Sequence, residues 1–259
     1  KTAVDNLDRL VSHSARDPDP KPIYFPPSRR SITARTKQAY AKSRAFRRHC
    51  ISEDDSELSS LLQQLVVGNQ ILKTLLVGNN VWSEDVMNGL LEGLYNNTSI
   101  TTLDVHGNMI GPDNAVILAD LLTCNPPWTS LNVSQTGMGD GAMYVITSLE
   151  VNITLQELCL QHSTLGDVGA EEILRVMSIN DTLRKLDVSD CQITETGTSA
   201  LGQMLETNTT LRELNLSGNQ IGDTGAQILS CALVCNKDLK VLRLDACWIG
   251  DAGAFHLSE

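Results

Sequence analysis

The sequence predicts an α/β solenoid, a stack of strand–turn–helix units, and three observations carry that prediction. An apolar pattern recurs every 27 or 28 residues, a glycine-containing pattern recurs in the same register, and aromatic residues make up only 4% of the chain beside 41% hydrophobic residues. A core resting on Leu, Val and Ile suits thin repeated layers better than one large globule. The length of 259 residues and the apolar content exclude a peptide hormone, a disordered tail or a disulfide-stapled miniprotein.

The strands come from the first pattern. Leu72, Ile100, Trp128, Leu155, Leu183, Leu211 and Leu239 each open a block of the form L-x-x-L-x-L-x-x-N-x-I, as in Leu211, Leu214, Leu216, Asn219 and Ile221. Apolar residues at spacings of three and two make a short strand whose inward side chains meet those of the next unit. The helices come from the second pattern, G-D-x-G-A followed by apolar residues at helical spacing: Gly222, Asp223, Gly225 and Ala226, then Ile228, Leu229 and Leu233. Asp223 is expected to accept the unpaired N–H groups of the helix it precedes, and Gly225 and Ala226 to let that helix lie close to its neighbour. Asn-x-Thr strings at Asn152, Asn180 and Asn208 end the helices, and their recurrence at one repeat position favours a turn role over glycosylation. Residues 51–68 carry Leu58, Leu61, Leu62, Leu65 and Val66 at helical spacing, the helix of a degenerate first unit. The third repeat departs, with a residue missing around Gly139, Asp140, Gly141 and Ala142 and with Pro126-Pro127 before its strand, so a local change of curvature is expected there.

These residues divide the chain into an arm, 1–50, and a repeat domain, 51–259, made of a degenerate unit at 51–71 and seven repeats starting at 72, 100, 128, 155, 183, 211 and 239, the last incomplete. The repeat resembles the leucine-rich repeat of the ribonuclease-inhibitor-like class. That resemblance implies a horseshoe with parallel strands on the concave face and helices on the convex face. It also implies that Asn80, Asn108, Thr136, Ser163, Cys191, Asn219 and Cys247 occupy the family's Asn/Cys position, where a short polar side chain bonds the turn backbone. Related repeats occur in ribonuclease inhibitor, the Ran GTPase-activating protein, tropomodulin, NOD-like receptors and ciliary axoneme subunits. The seventh repeat stops at Glu259 inside its helix without a polar cap, and the expectation is that the chain continues or that a partner covers that end.

The charge is divided. Residues 1–50 hold 12 Lys or Arg against 4 Asp, a net of +8, while the remainder is at −19. Pro18, Pro20, Pro22, Pro26 and Pro27 make one stretch extended, and the basic residues Arg29, Arg30, Arg35, Lys37, Lys42, Arg44, Arg47 and Arg48 follow with Tyr40 and Phe46 among them. Such a composition alone predicts disorder, so the arm is expected to strap onto an acidic surface, tubulin or another subunit of a large assembly, with a strap over the chain's own first repeats as the other reading. Nucleic acid is not an expected partner, because the acidic body repels phosphates. Nor is a membrane, since no apolar run reaches the ~18 residues of a span.

No constellation for catalysis stands out. Seven Cys without paired C-x-x-C elements point to reduced thiols in a cytoplasmic protein and away from zinc, and no cofactor or small-molecule substrate is expected. His106 and His162 read as surface residues, Cys231 and Cys235 as helix core, Trp82 and Trp128 as core packing, and Trp248 as packing beside a core position. The remaining candidate is the concave face. Its first column reads Lys73, Thr101, Thr129, Gln156, Arg184, Arg212 and Lys240, and adjacent columns supply Lys185, Glu213 and Arg243. The expected function is a non-catalytic protein-binding scaffold, a structural subunit of a cytoskeletal assembly such as a ciliary axoneme, whose mixed-charge patch grips an acidic partner segment. The alternative is a regulator of an enzyme, of the GTPase-activating or inhibitor type, acting through the same face. A mutually neutralising solvated surface is the competing account of that patch.

Overall fold

The computed structural model describes residues 23–24 and 53–258, so the basic residues 29–48 and the rest of the arm lie outside the described residues. The elements alternate: β1 (Ile23–Tyr24), α1 (Glu53–Gly68), β2 (Thr74–Leu76), α2 (Glu84–Leu94), β3 (Thr102–Asp104), α3 (Gly111–Thr123), β4 (Ser130–Asn132), α4 (Ala142–Ser148), β5 (Glu157–Cys159), α5 (Gly166–Met177), β6 (Lys185–Asp187), α6 (Glu195–Thr207), β7 (Glu213–Asn215), α7 (Gly222–Cys235), β8 (Val241–Arg243) and α8 (Asp251–Ser258). The strands form one open parallel sheet in sequence order, β1 to β8. Every junction from β2 onward keeps the same register, so Leu75, Leu103, Leu131, Leu158, Leu186, Leu214 and Leu242 line up under the helices. With Leu72, Ile100, Trp128, Val77 and their counterparts they make one continuous buried core. Among the described residues no helix is long and apolar enough to cross a membrane.

β1 is a finding in its own right. Ile23 and Tyr24, in the proline-rich stretch, pair in parallel with Leu75 and Leu76 of β2. A segment bounded by prolines can serve only at a sheet edge, and the edge before the first repeat is where it sits.

The turn after each strand requires the left-handed region, with φ between 54° and 74° at Asn79, Gly107, Gln135, His162, Asp190, Gly218 and Ala246. Only two of the seven are glycine, so the remaining five store local backbone strain of about 1 kcal/mol or more each. At Gly107 a side chain is excluded for a second reason, since a Cβ there would lie 2.5 Å from Asn79 Oδ1.

The polar residues that recur in the repeat hold one unit to the next. Asn180 Nδ2 donates to the carbonyls of Leu149 and Asn152 in the preceding repeat, and its Oδ1 accepts from the N–H groups of Thr182 and Leu183. Asn97, Asn208 and Asn236 act in the same way. These asparagine side chains are spent on backbone groups, as the turn reading requires. At the Asn/Cys position Asn108 and Asn219 donate to carbonyls on both sides of the turn, and Cys191 and Cys247 reach the carbonyls of Leu160 and Leu216 through their thiols. Burial pushes the Cys191 thiol up to about 12, so it acts as a weak donor and not as a nucleophile.

The capping expectation needs correction. Asp223 does not serve its own helix: its Oδ1 accepts from Gly250 and Gly253 at the start of α8, in the next repeat. Asp167 likewise accepts from the N–H groups of Thr194 and Gly197 and from the Thr194 hydroxyl, at the start of α6. Burial pushes the Asp167 carboxyl up, but these three hydrogen bonds outweigh it and hold the group below its ordinary value of 3.8. A depressed pKa gives stabilisation that is complete above about pH 4 and is lost as the pH falls through the lower folded-state value. Asp167→Asn keeps an acceptor for both N–H groups, so we expect a loss at neutral pH of about 1 kcal/mol or less and a shallower fall of the urea midpoint between about pH 4 and 2 than in the parent chain.

Repeat three is irregular, as its sequence indicates. A 3-10 turn at Gly139–Gly141 precedes α4, which has 7 residues where α2 has 11 and α7 has 14. Pro127 has no N–H to offer Asn125, whose Oδ1 instead accepts from Ile153 N at 2.7 Å.

Candidate functional site

The face of the sheet away from the helices carries three columns of outward side chains. In β3, β4, β5 and β7 the middle residue points into the core and its two neighbours stand half-buried on the open side, the pattern of a pleated strand covered on one face. Register fixes the columns. One runs Thr102, Ser130, Glu157, Lys185, Glu213, Val241; the next runs Asp104, Asn132, Cys159, Asp187, Asn215, Arg243. Together they line a groove of ≈ 430 Å³ that extends from β2 to β8.

The six concave-face residues singled out from the sequence fall in distinct settings. Arg184, Arg212 and Lys240, in the column just before the strands, turn toward main-chain carbonyls: Arg184 donates to Thr210, Arg212 to Thr209, and Lys240 to Lys237. Arg212 also pairs with Asp238 at 3.2 Å. Lys185 stands between Glu157 and Glu213, 3.3 Å from each, and the two carboxylates, Glu157 first, hold its ammonium above the ordinary value. Arg243 is exposed on β8 and, among the described residues, meets no carboxylate. Lys185 and Glu213 are thus brought together, and the stacked cations of the first column sit at the margin of the groove instead of on its floor.

Of the second column the sequence reading took Arg243 alone as a contact. Asp104 accepts from Asn132 Nδ2 and from the backbone N–H and ring of His106; Asp187 accepts from Asn215 Nδ2 and from the Ser189 N–H and hydroxyl. Cys159 lies between them, its sulfur 2.9 Å from Ser134 Oγ, and burial raises its pKa. The signal was available, because the residue four before the Asn/Cys position is Asp or Asn in repeats two, three, five and six: Asp104, Asn132, Asp187 and Asn215. Elsewhere two expectations change. Cys231 and Cys235 are exposed, on the outward side of α7, and Trp248 is 76% exposed. Trp248 occupies a left-handed turn position with φ 61°, as do Val81 and Gln192, and that backbone swings the side chain outward. Trp128 is fully buried and Trp82 packs against the core. Among the described residues no three His, Cys, Asp or Glu side chains are grouped to hold a metal ion.

A family model described as "Leucine Rich repeat" matches residues 151–174, 180–202, 207–230 and 235–258. Leucine-rich repeats thus recur along residues 151–258. Among solved structures, a protein from Bacteroides fragilis is similar at 14% identity, covering 86% of this chain and 79% of that one with a TM-score of 0.50, a likeness of fold. A structure described as leiomodin-1 actin-binding site 2 shares 18% identity over 78% of this chain and 88% of that one, with a TM-score of 0.36. No curated protein matches the chain. The described residues present the architecture the periodicity predicts: an open solenoid with alternating helices and parallel strands.

Proposed function

We propose that this leucine-rich repeat protein is a non-catalytic protein–protein interaction scaffold that holds a segment of a partner protein in the groove on its open sheet face. The observation that carries the reading is the groove itself, which extends from β2 to β8 and offers a polar side chain from both margins of β3, β4, β6 and β7. A surface that only needed solvation would gain nothing from so regular a presentation, whereas a partner chain laid across parallel strands meets each column in turn. Arg184, Lys185, Arg212, Glu213, Lys240 and Arg243 are the proposed contacts toward the last repeats.

The finer placement is a structural subunit of a cytoskeletal assembly, ciliary or axonemal, anchored through Arg29, Arg30, Arg35, Lys37, Lys42, Arg44, Arg47 and Arg48 to tubulin or a neighbouring subunit. Its support is the charge division between arm and body, +8 against −19. The pairing of Ile23–Tyr24 with β2 favours an arm that starts out along its own first repeat. The alternative, an enzyme regulator of the GTPase-activating or inhibitor type, uses the groove alone.

Crosslinking with mass spectrometry in native extract separates these readings. Groove crosslinks from Lys185 and Lys240 to a second protein support the scaffold. Crosslinks from Lys37 and Lys42 to tubulin or a fixed subunit support the anchor, and arm crosslinks confined to the chain's own repeats move the enzyme-regulator reading ahead. We further expect Lys185→Glu, which lines up three carboxylates across β5, β6 and β7, to leave the urea midpoint little changed because the site is exposed, while changing capture of the groove partner at least about tenfold. Unchanged capture would remove the groove from the interface.

A further inference from the structure

Resting on the groove reading above, we infer that the groove's occupant is not the acidic segment that the stacked cations suggest from sequence but an extended segment of another protein bearing Lys or Arg residues four apart, which pair with Asp104 and Asp187. The sign follows from the charges on the floor and its outer rim. Asp104, Glu157, Asp187, Asp190, Glu213 and Asp245 face Lys185 and Arg243 there, six carboxylates against two cations. Lys185 is already shared by Glu157 and Glu213, so it compensates neither fully. Among the described residues no lysine or arginine pairs with Asp104, Asp187, Asp190 or Asp245. Their partners are amides, hydroxyls, backbone N–H groups and the imidazoles of His106 and His162. The cations that could offset them, Arg184, Arg212 and Lys240, are directed to main-chain carbonyls at the margin. In a groove with low-dielectric walls such an imbalance concentrates negative potential where a partner would lie.

The spacing follows from the register. Asp104 on β3 and Asp187 on β6 stand in the same column three strands apart, about 14 Å at the usual strand separation. Four residues of extended chain cover about 14 Å as well, and residues i and i+4 of a strand point to the same side. The side chain at i+2 then falls over Asn132 and Cys159, where no charge stands, so an uncharged residue suits it. Both carboxylates are held by neighbouring donors, which fixes their direction before a partner arrives and lowers the ordering cost of the pair.

The test uses the full chain and fluorescence anisotropy with labelled twelve-residue peptides in a Ser/Thr background: lysine at every fourth position, lysine at every third, and glutamate at every fourth. The every-fourth lysine peptide is expected to bind best, to weaken at least about tenfold with Asp104→Asn/Asp187→Asn, and to tighten with Lys185→Gln, which releases Glu157 and Glu213. Lys185→Gln keeps the inference open to refutation should the aspartate pair prove necessary for folding. Equal or stronger binding of the glutamate peptide would keep the groove reading and overturn the basic occupant, and equal binding of the two lysine peptides would overturn the spacing. Binding of none of them would overturn the inference and leave the groove reading to the crosslinking experiment. Lysine-peptide binding seen only after Arg29, Arg30, Arg35 and Lys37 are changed to Gln would make the occupant this chain's own arm and also overturn it.

Discussion

Asn180→Ala is expected to destabilise the protein by about 3 kcal/mol, read as a shift of the urea midpoint at unchanged slope. Asn180 is buried, and its amide joins two carbonyls of the preceding repeat, Leu149 at 2.8 Å and Asn152 at 3.0 Å, to the N–H groups of Thr182 and Leu183 in its own. Alanine removes these four bonds, and a fifth from the Thr182 hydroxyl, at once and leaves backbone groups where water enters poorly. One hydrogen bond contributes about 1 kcal/mol net, and a buried group left unpaired costs about 1–3 kcal/mol. The comparison that isolates the mechanism is Asn125→Ala. Asn125 occupies the same repeat position, yet Pro126 and Pro127 deprive it of local N–H partners and it makes one short bond, to Ile153 N. A loss there of about 1 kcal/mol or less is expected. Equal losses at the two positions would show that the cost lies in helix termination and not in the link between repeats.

That comparison also marks how far the sequence could be read. The strands and helices were legible because the 28-residue period places the core leucines of each unit, and the buried column from Leu75 to Leu214 follows from it directly. The turn role of the Asn-x-Thr strings was legible because they recur at one position. The ownership of Asp167 and Asp223 was not, since the residues they cap lie 27 to 30 positions onward and no local pattern says which helix a carboxylate will reach. Left-handed turns at Gln135, Asp190 and Ala246 carry no glycine to announce them, and the outward swing of Trp248 depends on such a turn. The groove was half legible. Column order gave the cations Arg184, Arg212 and Lys240, but how far along its own stem each head group bends, toward a carbonyl at the margin or over the floor, is settled by long rotatable side chains that a repeat register does not constrain. The short Asp and Asn side chains of the next column have no such freedom, and they make the firmer part of the site.

Trp128 gives the largest expected effect and the sharpest contrast between two substitutions at one position. It takes the place that Leu72, Ile100 and Leu155 take in other repeats, it is fully buried, and among the described residues its indole N–H has no hydrogen-bond partner. Repeat three has the shortest helix of those between β2 and β8, 7 residues in α4, so less backbone is available there to fill the layer, and the wide indole does so instead. Trp128→Ala empties that space, and a loss of about 4 kcal/mol is expected from the transfer and cavity contributions of a large aromatic side chain. Trp128→Phe behaves differently. It forfeits part of the packing, but it also removes a buried donor whose unpaired state costs about 1–3 kcal/mol, so the two changes oppose each other and a net loss of about 1 kcal/mol or less is expected. Chemical denaturation of both variants checks the pair. A loss in the phenylalanine variant close to that of alanine would mean that the N–H is satisfied in solution by a trapped water and that the polar end of the indole is stabilising; a small loss in both would mean that repeat three collapses around the gap and contributes little to the continuity of the core.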